Sequence, residues 1–303
     1  MDGRERLLTA LSNEKPDRLP VQVHNWMTYY LDAYLDGCDA LAAYERFGMD
    51  PVLYVGPRAE YRSSDLAKWQ VHRRTVGTTP EGDTLWAERT VTPEGELTCR
   101  GARNAITEWQ TECLIKDARD FALFERYAPA VARLDASPVV AAQQQVGSRG
   151  IVRGWAHGFG QGSPWQDLCV LAGTERAILW AVDEPEFTHH ALQVLLAKRL
   201  RYIEHLRGVP LDLVEAGGGA ASNTVISPAL FREFVLPYDK VQTEALHAAG
   251  MRVVYHLCGG LMRMLDLVAE MGADGLETMT PPSMGGDCDL AEATRRVGDR
   301  LFF

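Results

Sequence analysis

The sequence predicts an α/β fold on a parallel sheet, with a closed (β/α)8 barrel favoured over an open, doubly wound sheet. Three observations carry that expectation. Short apolar runs of strand length alternate with stretches of helical spacing. No GxGxxG follows the first strand, so the dinucleotide-binding form of the open sheet loses support. Polar residues stand at the ends of several runs, where a barrel keeps its functional groups.

The first helix is expected over residues 3–11, followed by a turn over 13–18 and a short apolar strand over 19–23 that ends on His24 and Asn25. Tyr30, Tyr34, Leu41, Tyr44 and Phe47 recur at helical spacing, and residues 51–55 form a second strand closed by Gly56 and Pro57. From 68 to 111 the texture changes to β-prone runs separated by two Pro-Glu-Gly turns, which predicts an antiparallel hairpin insertion. Helices resume at 117–127 and at Ser137-Pro138, where serine can cap and proline fits the first turn. Beyond Gly150, strands at 151–156, 211–216, 251–255, 275–278 and 300–303 alternate with helices, the one opening at Ser227-Pro228 being expected to bend at Pro237. That makes seven strands at about 20, 53, 153, 214, 254, 276 and 301, whereas a closed barrel takes eight, so the last strand and helix are expected beyond Phe303. The expected organisation is one barrel domain over 1–303, with 68–111 inserted.

Composition narrows the function. The chain has 303 residues, 46% hydrophobic and 24% charged, with 41 acidic against 31 basic side chains and a formal charge of −10. Such a surface repels polyanions, which argues against nucleic acid and anionic membranes as partners. Nothing approaches the ~18 apolar residues of a membrane span, and the charged N-terminus lacks the apolar core of a secretory signal. The six cysteines, Cys38, Cys99, Cys113, Cys169, Cys258 and Cys288, form no CxxC pair, which fits reduced thiols in a cytoplasmic protein. A small molecule or another protein is the expected partner, and an acidic barrel with an exposed hairpin insertion is compatible with a homodimer.

The strongest local signal is MRVVYHLCGG, 251–260. Residues two apart on a strand share a side, so His256 and Cys258 can converge on one ion, and imidazole with thiolate is a zinc-type pair. The bare HxC string is weak; its place at a strand end before two glycines gives it weight. The plain alternative is a core histidine with a buried cysteine. Glu277, at the end of the next strand, is a third ligand or a group that orients His256; a solvated carboxylate is its alternative. In VEAGGGAASN, 214–223, the glycines Gly217, Gly218 and Gly219 permit close approach of backbone N–H groups to an anion or a flat cofactor, with Glu215 and Asn223 as pocket candidates. His24, Asn25 and His157, at other strand ends, complete the candidates.

On these residues the chain resembles the uroporphyrinogen decarboxylase superfamily, and within it the zinc-dependent, corrinoid-linked methyltransferases. The likeness runs through RERLLTALSNEKPDRLPV (4–21), ECLIKDARDFALFERY (112–127), residues 227–260 and residues 277–303. It implies a (β/α)8 barrel. The decarboxylases look for an arginine-rich segment after the first strand to hold porphyrinogen carboxylates; here that segment is VQVHNWMTYYLDAYL (21–35), without Arg or Lys. Polycarboxylate binding there would leave charges unpaired. The methyltransferase branch uses a His-x-Cys pair and a later cysteine on zinc. His256-Leu257-Cys258 matches the pair; the distal cysteine belongs near the last strand, so either it lies beyond Phe303 or Glu277 completes the site.

The resemblance thus implies Zn2+ on His256, Cys258 and Glu277, and methyl transfer between a corrinoid (methylcobamide) on a partner protein and a small thiol or methyl ether. Glu215, His157 and Asn25 are the catalytic candidates; His24, Gly217, Gly218, Gly219 and Asn223 are the binding candidates. A metal-free uroporphyrinogen decarboxylase of porphyrin biosynthesis is the alternative, and a non-catalytic barrel that binds a tetrapyrrole or a corrinoid protein is the second.

Overall fold

The computed structural model describes residues 1–156 and 162–303. Along the chain run β1 (Val52–Tyr54), β2 (Arg58–Tyr61), β3 (Gln70–Thr78), β4 (Thr84–Thr92), β5 (Gly95–Arg103), β6 (Glu108–Glu112), β7 (Val131–Asp135), β8 (Ile151–Trp155), β9 (Leu213–Gly217), β10 (Val253–His256) and β11 (Gly275–Glu277). The central sheet has the order β1-β8-β9-β10-β11 with every neighbour parallel, and Phe302 extends it by a parallel bridge to Gly275. Helices fill the connections, as parallel pairing requires. No bridge joins the two edges of this sheet among the described residues.

The antiparallel hairpins expected at 68–111 are the meander β3-β4-β5-β6. One short antiparallel pair, β2 with β7, brackets the meander in sequence, and the meander's Trp86, Leu97 and Cys99 pack into the main core. No helix among the described residues is long and apolar enough to cross a membrane.

Strand register decides which side chains share a face. Tyr54 pairs with Arg153, Trp155 with Glu215, and His256 with both Gly217 and Glu277. Paired residues in a sheet point the same way and neighbours along a strand point oppositely. One face therefore carries Val52 and Tyr54, Ile151, Arg153 and Trp155, Leu213 and Glu215, Val254 and His256, then Glu277. The other carries Leu53, Val152, Val214, Ala216, Val253, Tyr255 and Leu276, and these enter the main core beneath the helices.

The first face has two layers. Towards the amino ends it is apolar: Val52 and Ile151 pack with Leu7, and Leu213 and Val254 with Phe302. The helix Gly3–Leu11 covers this layer, its start fixed by a capping box between Asp2 and Glu5 and its position by Arg4 on Asp212 and Arg6 on Asp17 and Asp50. Towards the carboxyl ends the face turns polar, and the candidate site lies there.

Three sequence expectations need correction. Residues 19–23 form no strand: Pro20 has no N–H to donate, and Val21 meets its neighbour through Asp50 alone, by Asp50 N–H to Val21 O (2.7 Å) and Val21 N–H to Asp50 Oδ2 (3.0 Å). The helical spacing from Tyr30 to Phe47 is split into Thr28–Tyr34 and Ala40–Arg46, because Asp36 (φ 58°) and Gly37 (φ 69°) are left-handed. The helix after Ser227 is interrupted by a π-type turn over Phe231–Val235, just before Pro237.

Candidate functional site

Five inward residues meet at the carboxyl ends: Tyr54, Arg153, Glu215, His256 and Glu277. A sixth, His24, arrives from the irregular segment, which the Tyr44 hydroxyl pins to β1 through Val23 O (3.0 Å) and Val52 O (3.2 Å). The donor atoms of His24, Glu215, His256 and Glu277 all lie within 4.8 Å of one another.

The contacts are specific. His256 Nδ1 lies 2.9 Å from Glu277 Oε1, and His24 Nε2 lies 3.3 Å from both Glu215 Oε2 and Glu277 Oε1. Arg153 donates from Nη2 to Glu215 Oε2 (2.5 Å) and from Nη1 and Nη2 to Glu277 (2.8 and 2.9 Å). Its guanidinium also stands over the Tyr54 ring at 4.8 Å, and the Tyr54 hydroxyl donates to Glu215. Arg153 and Glu215 are each only 2% exposed, so each needs the other to offset desolvation.

This network sets the protonation states. Hydrogen bonds to Glu215 and then to Glu277 raise His24 to about 9. Burial alone disfavours charging His256, but hydrogen bonds to Cys258 and Glu277 and the two carboxylate charges outweigh it, lifting this ring also to about 9. Burial opposes ionisation of Glu277, yet His24, His256 and Arg153 hold it well below the usual carboxylate range. The His256 hydrogen bond lowers the Cys258 thiol.

Cys258 follows β10 in the loop and is exposed, outside the four-donor cluster, with a thiol lowered by its neighbour His256. The glycine run makes room for it. A Cβ at Gly219 would stand 2.5 Å from Cys258 Sγ, and one at Gly217 would stand 2.5 Å from His256 O. Gly218 N–H donates to that same His256 O at 2.8 Å. Close backbone approach at the glycines is thus made to the 256–258 segment. Thr278, directly after Glu277, has φ 59°, a left-handed conformation disfavoured for a β-branched residue that aims the end of β11.

Of the other candidates, Asn223 is tied to the loop after β11: its amide nitrogen donates to Asp287 Oδ2 (3.3 Å) and its oxygen accepts from Arg263 N–H (3.4 Å). Asn25 lines a separate apolar cleft of about 420 Å³ with Val23, Trp26, Met27, Tyr30, Phe47 and Met49. His157 lies outside the described residues. Sequence reasoning missed Arg153 and Tyr54; a lone arginine inside the apolar run IVRGW was the available signal.

The residues fit a metal in one way better than another. Glu277 engages Nδ1 of His256, which leaves Nε2 as the coordinating nitrogen, and the lowered thiol of Cys258 is beside it; a carboxylate on the far ring nitrogen is the usual support of a zinc histidine. The oxygens of Glu215 and Glu277 are already engaged by a buried cation, Arg153.

Part of the chain is similar to a known family. Residues 156–302 match the family model described as Uroporphyrinogen decarboxylase (URO-D). Uroporphyrinogen decarboxylases of Xanthomonas euvesicatoria pv. vesicatoria (strain 85-10) and Xanthomonas axonopodis pv. citri (strain 306) are each 28% identical over 154 residues, covering 46% of this chain and 40% of theirs. The match thus spans well under half the length of these relatives. In fold, a methyltransferase from Methanosarcina mazei aligns over 99% of this chain and 81% of its own, with a TM-score of 0.62 at 16% identity. Residues 156–302, just under half of the chain, are thus similar to the uroporphyrinogen decarboxylase family, and the fold as a whole is similar to that of a protein named a methyltransferase.

Proposed function

We propose that the chain is a zinc-dependent methyltransferase that moves a methyl group between a corrinoid carried by a partner protein and a small thiol or methyl ether. The observation that supports this reading is the pairing of His256, oriented by Glu277, with the accessible, acidified thiol of Cys258. Zinc bound there would favour thiolate over thiol in a substrate and polarise an ether oxygen. The likeness in fold to a protein named a methyltransferase agrees with it.

The chain's own residues then divide the work. His256 and Cys258 hold the ion. Glu277 fixes the ring of His256 through Nδ1, and Arg153 fixes Glu277. His24, half exposed and protonated at neutral pH by Glu215 and Glu277, is placed to give a proton to a leaving oxygen or to orient an anionic substrate. The aligned relatives are named uroporphyrinogen decarboxylase, which favours decarboxylation as a second reading. Against it stand the absence of Arg and Lys from 21–35 and the engagement of Arg153 by two carboxylates. Free cysteines throughout agree with a cytoplasmic setting.

Metal analysis of protein purified without chelator tests the reading. We expect about one zinc per chain, lost together with methyl transfer in Cys258→Ala. Absence of zinc, with carboxylate loss from uroporphyrinogen on incubation, would transfer the assignment to the decarboxylase.

A further inference from the structure

Two different metal sites overlap at the carboxyl ends of the sheet. One is the thiolate edge of His256 and Cys258. The other is the all-nitrogen-and-oxygen set of His24, Glu215, His256 and Glu277, whose donors lie within 4.8 Å of one another. By ligand chemistry that second set suits a harder divalent ion such as Mn2+ or Fe2+, while the thiolate edge suits zinc. Irving–Williams affinities alone would not keep the ions apart, so something in the protein must.

Arg153 stands where the choice is made. It grows from β8, points inward by register, and its side chain is 3% exposed. One guanidinium bridges two carboxylates from two other strands, Glu215 of β9 and Glu277 of β11, at 2.5 to 2.9 Å. Tyr54 covers its face, and its Nε is buried without a partner, so no further carboxylate holds it from behind. The guanidinium thus supplies the positive charge that the two carboxylates would otherwise take from an ion.

We propose that Arg153 is a metal-selectivity residue: a built-in counter-cation that closes the His24, Glu215, His256, Glu277 donor set to divalent ions and confines metal to the thiolate edge. It is a positioning residue, since it acts through Glu215 and Glu277. The inference deepens the zinc reading above, and its test can fail separately from that reading. A fixed guanidinium repels a dication at the same oxygens, and it already engages Glu215 Oε2 and both oxygens of Glu277. With Arg153 removed, two imidazoles and two carboxylates converge without the guanidinium, and a dication can then take its place on the carboxylates as the imidazoles give up their protons.

The test is Arg153→Met on the full chain after chelator treatment, with Mn2+ binding read from loss of the free ion's six-line paramagnetic resonance signal and Zn2+ binding by chelator competition. The wild-type protein is expected to take Zn2+ and to ignore Mn2+ at concentrations where Arg153→Met binds it at least about 100-fold more tightly. The Mn2+ gain should survive Cys258→Ala and vanish when Glu215→Gln and Glu277→Gln are combined, which leaves no carboxylate in the set. Should the single variant fail to fold, the charge-balanced Arg153→Met/Glu215→Gln pair leaves two histidines and one carboxylate, a set that still takes such ions, and the same gain is expected. Wild-type protein that already binds Mn2+ as tightly, or folded variants with no gain, would overturn the proposal. Gain of Mn2+ binding with no zinc on the wild type would uphold Arg153 and reject the zinc reading; zinc on the wild type with no gain would do the reverse.

Discussion

His256 Nδ1 and Glu277 Oε1 lie 2.9 Å apart because the two residues pair in parallel register as the last members of β10 and β11. Their contact is thus set by backbone hydrogen bonding and holds the ring before any ligand arrives. Glu277→Gln keeps the shape but removes the charge that supports the imidazole. We expect zinc affinity to fall about 10- to 100-fold with the fold intact, measured by competition with a chromophoric chelator.

Gly219→Ala tests the space reserved for the thiol. The added Cβ would stand 2.5 Å from Cys258 Sγ, so the thiol must shift from His256. Zinc affinity should drop about 10-fold or more, while the thermal midpoint changes little. Unchanged affinity would show that Cys258 holds no metal.

The apolar layer beneath the site should respond as core. Phe302 is 9% exposed, packs with Leu213 and Val254, and lies so close to Gly275 that a Cβ there would be 2.2 Å from its ring. Phe302→Ala should cost about 3–5 kcal/mol in urea unfolding, with zinc affinity nearly unchanged if the variant stays folded.

Stability should depend on pH through Asp239, which accepts from the Tyr255 hydroxyl at 2.6 Å directly behind His256 and leaves its other oxygen unpartnered. Burial raises this carboxyl from 3.8 to about 7, against the Tyr255 hydrogen bond and the Arg199 charge. The folded state therefore binds the proton more tightly than the unfolded chain. The group's contribution is complete below pH 4, declines as pH rises to about 7 and is flat above. At about 1.4 kcal/mol per pH unit the loss is at most about 4 kcal/mol. Asp239→Asn should flatten that part of the pH–stability curve, measured by urea titration from pH 4 to 8.

Much of this arrangement is legible in the sequence where burial is two-sided. The strands β8 to β11 are short apolar runs because both their faces are covered, and His256, Glu277 and Glu215 stand at their ends. Residues 19–23 mislead because they are apolar without being paired: Leu19 is 81% exposed. His24 nevertheless reaches the cluster, since the Tyr44 hydroxyl holds its segment, a contact across 21 residues that no local pattern shows. Arg153 escapes notice because the run around it reads as core. Parity along the strands exposes it: Tyr54, Arg153, Glu215, His256 and Glu277 all fall on the inward register. Asn223 and Asn25 sit near the right strand ends, but their side chains belong to a loop tie and to a neighbouring cleft.

Zinc-edge X-ray absorption on the wild-type chain loaded with one equivalent of zinc tests the central claim most directly. A sulfur shell at about 2.3 Å beside nitrogen at about 2.0 Å, with the sulfur shell lost in Cys258→Ala, is the predicted result. A shell of nitrogen and oxygen alone, unchanged in Cys258→Ala, would contradict it.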